Sequence, residues 1–180
     1  MNAQKFTQKS LEAVQAAQAL TTEYGNQQME QPHLLLALLQ AENGLVPQLL
    51  TGMGVTLPSF QAAVRAEVEK LPRVSGSGRE MDKIYVSQGV DRVLNAAESI
   101  AAGMKDEYVS VEHLLLSLLE HADRNLADLF RTYQISREKV LQALASVRGS
   151  QRVTSDNPEE TYDALKKYGS DLVERARANK

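Results

Sequence analysis

The sequence predicts an all-α protein built from two tandem four-helix repeats, a pseudo-twofold bundle followed by a C-terminal linker tail. The main observation is a gapless internal match at an offset of 80 positions, in which His33–Leu39 falls on His113–Leu119 with six of seven residues identical. Apolar residues recur at helical spacing in both copies, and strand signals are weak throughout. The matched positions are mostly apolar residues and helix caps, which indicates a shared core.

The first helix of each repeat follows a hydroxyl residue, Thr7 or Ser87, whose side-chain oxygen can accept a backbone N–H of the first turn. Apolar residues then follow at helical spacing. They are Ala13, Val14, Ala17 and Leu20 in the first repeat, and Val93, Leu94, Ala97 and Ile100 in the second.

The second helix begins near Pro32 in the first repeat, because the fixed φ of proline suits a first helical position, and after Ser110 in the second. Its leucine cluster is apolar nearly all round, which is typical of the central helix of a bundle. The third helix is short, around Val46–Leu50 or Leu126–Phe130, and Gly52 ends the first copy. The fourth starts after Thr56 or Ser136. Its apolar residues are Phe60, Ala63 and Val64, or Val140, Leu144 and Val147.

Two polar stretches divide the chain. Residues 1–71 are assigned to the first repeat, 72–83 to a Gly/Ser/Pro linker and 84–148 to the second repeat. Residues 149–180 form a second linker and a helix-like stretch, Tyr162–Val173, with no core of its own. We therefore expect this tail to open a further domain.

Composition excludes several classes of protein. The chain has no cysteine, which excludes disulfide scaffolds and thiolate zinc sites. A net charge of −3 and the absence of tryptophan argue against a nucleic-acid partner. No secretory signal is visible, and the longest apolar run, Leu34–Leu39, is far too short to cross a membrane. We expect a soluble, cytoplasmic protein without a membrane partner.

No catalytic constellation is visible. Neither a phosphate-binding loop nor a nucleophile with an adjacent base occurs, so we expect no enzyme activity, cofactor or metal in this chain. His113 and His121 lie about two helical turns apart, too far for one ion. His33 and His113 occupy the same early position of the second helix, which favours packing or capping over metal binding.

The seam, defined as the surface where the two repeats meet, is a natural place for an apolar binding groove. Leu94, Ala96 and His113 are candidates to line it, although the periodic position of Leu94 also suits the core. The nearby Asp106 and Glu112 favour basic or N-terminal client segments, or else cap a helix.

Several motifs together resemble the N-terminal region of the Clp-type AAA+ unfoldases, most closely that of the ClpB-type disaggregases. The resemblance covers the whole chain. It rests on Lys5–Ser10, Tyr24–Gln28, His33–Leu39, Leu71–Gly78, Glu112–Leu116 and the tail Ala164–Leu172.

The resemblance implies an all-α double repeat tethered to a homohexameric ATP-driven ring that passes unfolded or aggregated clients to its pore together with the DnaK chaperone system. It also implies ATP and Mg as cofactors of the parent, whereas this fragment is expected to be monomeric and to hydrolyse no ATP. Where the motifs match, the resemblance implies that substrate is engaged by Thr7, Leu94, Asp106 and Glu112. Ala96 and His113 replace bulkier apolar residues of some relatives, which affects the depth of the groove.

Two alternatives remain at this stage. One is the adaptor-docking domain of a ClpC- or ClpA-type protease unfoldase. The tail motif Leu165–Gly169 favours a ClpB-type protein over this alternative. The other is a free-standing helical adaptor. The C-terminal stretch, which has no core of its own, argues against this alternative.

Overall fold

A computed structural model describes residues 2–74, 84–149, 151–156 and 158. Most of the predicted linker 72–83 and most of the predicted tail 149–180, including Tyr162–Val173, lie outside the described residues.

The described residues form two four-helix repeats in the predicted order, so the all-α fold class is confirmed. The first repeat contains α1 (Gln8–Glu23), α2 (Gln31–Gln40), α3 (Leu45–Gly52) and α4 (Leu57–Glu69), and the second contains α5 (Gln88–Gly103), α6 (Val111–Glu120), α7 (Arg124–Thr132) and α8 (Arg137–Arg148).

Two short parallel strands that the sequence does not predict join the repeats. Strand β1 (Gln28–Met29) pairs with β2 (Tyr85–Val86), and a single bridge joins Phe6 to Val109. Shifting either pairing by 80 positions gives the other, so each repeat makes the same backbone contact with its neighbour across the seam. Two-residue strands are too short to give a period-two pattern, which explains why the sequence does not reveal them.

The helix starts follow the predicted capping chemistry. Thr7 Oγ1 accepts the N–H of Ser10 at 3.2 Å, and Ser87 Oγ accepts the N–H of Val90 at 3.1 Å. Helix α2 instead has Pro32 in its first turn, where no backbone donor is needed.

The core is continuous across the seam. The leucines of α2 and α6 are buried except for Leu119, which is partly exposed, and each buried leucine side chain stabilises the fold by about 1.5–3 kcal/mol. Phe60 of α4 packs on α7 of the other repeat, with ring centroids 6.1 Å from Phe130 and 5.0 Å from Tyr133. None of the described helices combines the length and apolarity needed to cross a membrane.

Candidate functional site at the seam

The six sequence-predicted site residues all lie in the described part of the chain, but the structure buries five of them. Thr7, Glu112 and His113 have no exposed surface, and Leu94 and Asp106 retain only 4% and 7%. Ala96, on α5, is partly exposed. Of these six residues, Ala96 alone offers an appreciable surface to a binding partner.

His113 holds the start of α6 in place. Its Nδ1 accepts the backbone N–H of Ser110 at 2.9 Å, which places the ring proton on Nε2. Nε2 lies 2.7 Å from Asp106 Oδ2 and donates to it. His113 is therefore an internal cap that links α6 to the loop after α5.

Asp106 is the centre of a buried charged cluster. Its Oδ1 accepts from Arg148 Nη2 at the end of α8. Arg148 Nη1 also lies 3.9 Å from Glu112 Oε2, and Ser110 Oγ donates to Glu112 Oε1. One guanidinium thus faces two buried carboxyl groups, and its charge offsets part of the cost of burying them.

The hydrogen bonds of this cluster fix its protonation. Burial by itself raises the pKa of Asp106, but the hydrogen bonds from His113, Arg148 and the N–H of Val153 outweigh burial and lower that pKa to about 2. Burial lowers the pKa of His113, and the neighbouring Asp106 only partly offsets this. At neutral pH the histidine is neutral and the aspartate is ionised.

The first repeat contains a version of the same cluster that lacks the ion pair between Asp106 and Arg148. His33 Nδ1 accepts the N–H of Glu30 at 2.9 Å, and His33 Nε2 lies 2.9 Å from Asn26 Oδ1. Asn26 replaces Asp106, and the buried Val68 stands at the position of Arg148. The charged cluster is therefore a specific property of the second repeat.

Residues 151–156, here called the strap, pack across the seam although the sequence analysis assigns them to a linker. Val153 is fully buried, donates its N–H to Asp106 Oδ1 at 2.9 Å and accepts the N–H of Glu107 at 2.7 Å. The carbonyl of Asp156 accepts the N–H of Gln8 at 2.8 Å. The strap thus connects the charged cluster to the start of α1.

The sequence gives little sign of the strap, because most of its hydrogen bonds use backbone groups. The single apolar Val153 within a polar stretch is the only signal, and one residue carries no periodicity. Arg148 was missed for a related reason: at the end of a helix it resembles a solvated cation.

An open cleft lies between α1 and α3, on the first-repeat side of the seam. Its volume is about 610 Å³. The apolar part of its lining comes from Ala13 and Ala16 of α1, Leu38 of α2, Val46 of α3 and Val111 of α6. Polar residues also line it: Lys9, Glu12, Gln40, Glu42, Asn43 and Gln48. We call this opening the α1–α3 cleft, and sequence reasoning did not predict it.

The described residues contain no group of three or more histidine, cysteine, aspartate or glutamate side chains arranged to hold a metal ion. The described residues at the seam comprise a charged cluster, a strap and an open, partly apolar cleft.

The duplicated helices and their exchanged strand pairings define an all-α double-repeat domain. A model of the Clp repeat (R) N-terminal domain matches residues 5–133, and the chain belongs to this family.

The similar proteins include bacterial chaperones named ClpB. The chain is 48% identical to the chaperone protein ClpB of Nitratidesulfovibrio vulgaris and 40% identical to that of Bacillus cereus, over 100% of its own length in both cases. It spans about a fifth (21%) of each of these relatives. The crystal structure of the Hsp104 N-terminal domain from Candida albicans superimposes with a TM-score of 0.74 at 26% identity, covering 86% of this chain and 99% of that one.

Proposed function

We propose that this chain is the client-recognition domain of a ClpB-type disaggregase and that it binds exposed apolar segments of unfolded or aggregated proteins. The family membership and the full-length similarity to ClpB chaperones support this proposal. In the proposal, the parent protein supplies ATP hydrolysis with Mg, assembles as a homohexamer and works with the DnaK system in the cytoplasm. The chain itself is monomeric and needs no cofactor.

The α1–α3 cleft is the observation that carries the proposal. At about 610 Å³ it is within the range of peptide and small-molecule sites, and its floor is apolar while its rim is charged. Its apolar residues are small or aliphatic, so the cleft selects for apolar character without demanding one side chain. A shallow site of this kind binds each segment weakly, and a ring that presents several copies compensates by avidity.

The six residues predicted from the sequence enter this proposal in two ways. Five of them act indirectly: Thr7 caps α1, one wall of the cleft, while Leu94, Asp106, Glu112 and His113 maintain the packing of the second repeat against it. Ala96 is a second, separate client contact on α5, because its side chain remains partly exposed.

The test is an NMR titration of the chain with a reduced and alkylated polypeptide that is rich in apolar residues and cannot refold. We expect the amide signals of Ala13, Ala16 and Val46 to shift in a saturable way. The substitution Ala16→Glu places a charge in the apolar wall and is expected to weaken binding on the order of tenfold.

The matched control is Ala19→Glu, which adds the same charge at an exposed position of α1 outside the cleft lining. It should leave binding unchanged. Ala96→Glu tests the second contact and should weaken binding less than Ala16→Glu. Equal affinities for the parent and the Ala16→Glu variant would rule out the cleft as the client site.

A further inference from the structure

The internal repeat supplies a comparison for the α1–α3 cleft within the same molecule. In the second repeat, the corresponding space between α5 and the α6–α7 loop is occupied by the side chain of Gln31, from the first residue of α2. Gln31 Nε2 donates to the carbonyls of His121 at 2.8 Å and Gly89 at 3.2 Å, and its Oε1 accepts the N–H of Asp123 at 2.7 Å. Gln31 is 3% exposed.

Gly89 makes room for this amide. A Cβ at position 89 would approach Gln31 Nε2 to 3.3 Å, which is closer than an unstrained contact. The second repeat therefore contains a complete carboxamide site that is closed by the protein's own glutamine.

The four counterpart positions, three in the first repeat and one in α6, line the open cleft. At the offset of 80 residues, Val111 stands in the place of Gln31, and Lys9, Ala41 and Asn43 stand in the places of Gly89, His121 and Asp123. Valine has neither a donor nor an acceptor in its side chain and is too short to reach across. The cleft is thus the counterpart of a built amide site whose internal ligand is missing.

The α2–α3 loop differs from its counterpart in a way that keeps the cleft open. Asn43 has a φ of 56°, in the left-handed region, and α3 starts at Leu45. In the second repeat Asp123 has a φ of −64°, and α7 already starts at Arg124, the counterpart of Gly44. The shorter α6–α7 turn closes around Gln31, whereas the longer α2–α3 turn leaves the cleft open.

We propose that the Val111 end of the α1–α3 cleft is a subsite for the side-chain carboxamide of a glutamine or asparagine in a bound client segment. The inference rests on the proposed function and adds the chemistry of one subsite. The amide nitrogen donates to the second lone pair of the Ala41 carbonyl, which already accepts the N–H of Gly44 at 3.0 Å, and the amide oxygen accepts the N–H of Asn43. Flanking apolar residues of the same segment pack on the α1 wall.

The charges at the rim agree with a neutral polar ligand. Lys9 Nζ and Glu12 Oε2 lie 3.9 Å apart on α1, and Glu42 faces them from the loop. Charges of both signs near the mouth give neither an acidic nor a basic side chain a clear advantage. A carboxamide, which both donates and accepts, can pair with a backbone carbonyl and a backbone N–H of the α2–α3 loop.

The experiment compares two capped seven-residue peptides that differ only at the centre, where one has glutamine and the other methionine, with alanine, valine and leucine around it. Both peptides are titrated into the 180-residue chain and followed by NMR. We expect the glutamine peptide to bind about fivefold to tenfold more tightly, the gain expected from two additional hydrogen bonds. The amide signals of Asn43 and Gly44 should shift further with glutamine than with methionine.

The variant that closes the subsite is the double substitution Lys9→Gly with Val111→Gln, which reproduces the Gly89–Gln31 pair in the first repeat. It should abolish the preference for glutamine, while Lys9→Gly alone should retain it. Equal affinities of the two peptides for the parent chain would overturn the inference and leave the proposed function intact. Failure of both peptides to bind would count against the proposed client cleft itself.

Discussion

At the scale of single residues, the two buried histidines show how one position supports both repeats. His33 and His113 each accept a backbone N–H through Nδ1 and donate through Nε2, and both are fully buried. This geometry needs a neutral ring. The sequence predicted the capping or packing role from the repeat alone, because a histidine that recurs at one helical position without other metal ligands has a structural role more often than a catalytic one.

Acidification is expected to destabilise the fold between about pH 6.5 and pH 4. Burial lowers the pKa of His33 from 6.5 to about 4, and burial lowers that of His113 as well. In that window the unfolded chain binds protons that the folded chain does not, so stability falls as the pH falls. The lowered pKa of His33 alone reduces the unfolding free energy by about 3 kcal/mol once the pH has fallen to about 4.

Urea unfolding at pH 7, 5.5 and 4 measures this dependence. His33→Gln should flatten the pH profile, whereas His121→Gln, which changes a histidine outside the two capping positions, should leave the profile of the parent. A parent chain that is equally stable at pH 7 and pH 4 would contradict the assignment. The carboxyl of Asp106 adds a further loss only at lower pH, as the pH falls from about 4 towards its pKa of about 2.

Arg148 is the second residue on which a prediction depends. Arg148→Met removes the cation that compensates Asp106 and Glu112, and leaving buried carboxylates without it is expected to cost about 3–5 kcal/mol. Asp106→Asn should cost less, because Asn26 already occupies the counterpart position in the first repeat and receives a bond from its histidine. Urea unfolding monitored by far-UV circular dichroism compares the two variants. An Arg148→Met variant as stable as the parent would show that the cluster contributes nothing.

At the scale of elements, the strap and residues 72–74 explain how each repeat is closed after its last helix. Residues 72–74 return over the first repeat, where Asn26 Nδ2 donates to Pro72 O at 2.8 Å and the N–H of Val74 donates to Gly25 O at 2.8 Å. Residues 151–156 make the corresponding return over Asp106 and Glu107. The helices themselves follow from capping residues and apolar spacing, whereas these returns depend on backbone pairing that no residue pattern encodes.

Val153 is the test of the strap. Val153→Ala leaves a cavity beneath the strap and is expected to lower the unfolding free energy by about 1–3 kcal/mol. Hydrogen exchange at the amides of Gln8 and Glu107 should accelerate, because both donate to strap carbonyls. Thr154→Ala, at an exposed neighbouring position, is the control. The same exchange rates in both variants would mean that the strap is not held by Val153.

At the scale of the whole molecule, the duplication explains both what the sequence predicted and what it did not. The match at an offset of 80 positions predicted the helix order and the equivalent positions of His33 and His113, because core positions and caps are retained in both copies. The open cleft escaped prediction since it arises from a difference between the copies. The sequence shows only that Val111 stands at the position of Gln31. The structure is needed to show which groups surround the Gln31 amide.

The predicted site residues illustrate the same limit. Family resemblance led to Thr7, Asp106 and Glu112, and these side chains prove to be buried in contacts with their own chain. Their role in client binding stays a prediction, because sequence position alone does not show whether a side chain is exposed.

Because the core crosses the seam, the two repeats are expected to unfold as one cooperative unit. Phe60 belongs to the first repeat but packs against Phe130 and Tyr133 of the second, so Phe60→Ala should cost about 3–5 kcal/mol. That loss should appear equally as reduced hydrogen-exchange protection in α2 and in α6, because global unfolding governs exchange in both leucine clusters. Glu69→Ala, on an exposed position of the same helix, should change neither. Protection lost in α2 but kept in α6 would show that the repeats unfold separately, and the seam would then be a docking surface between two independent units.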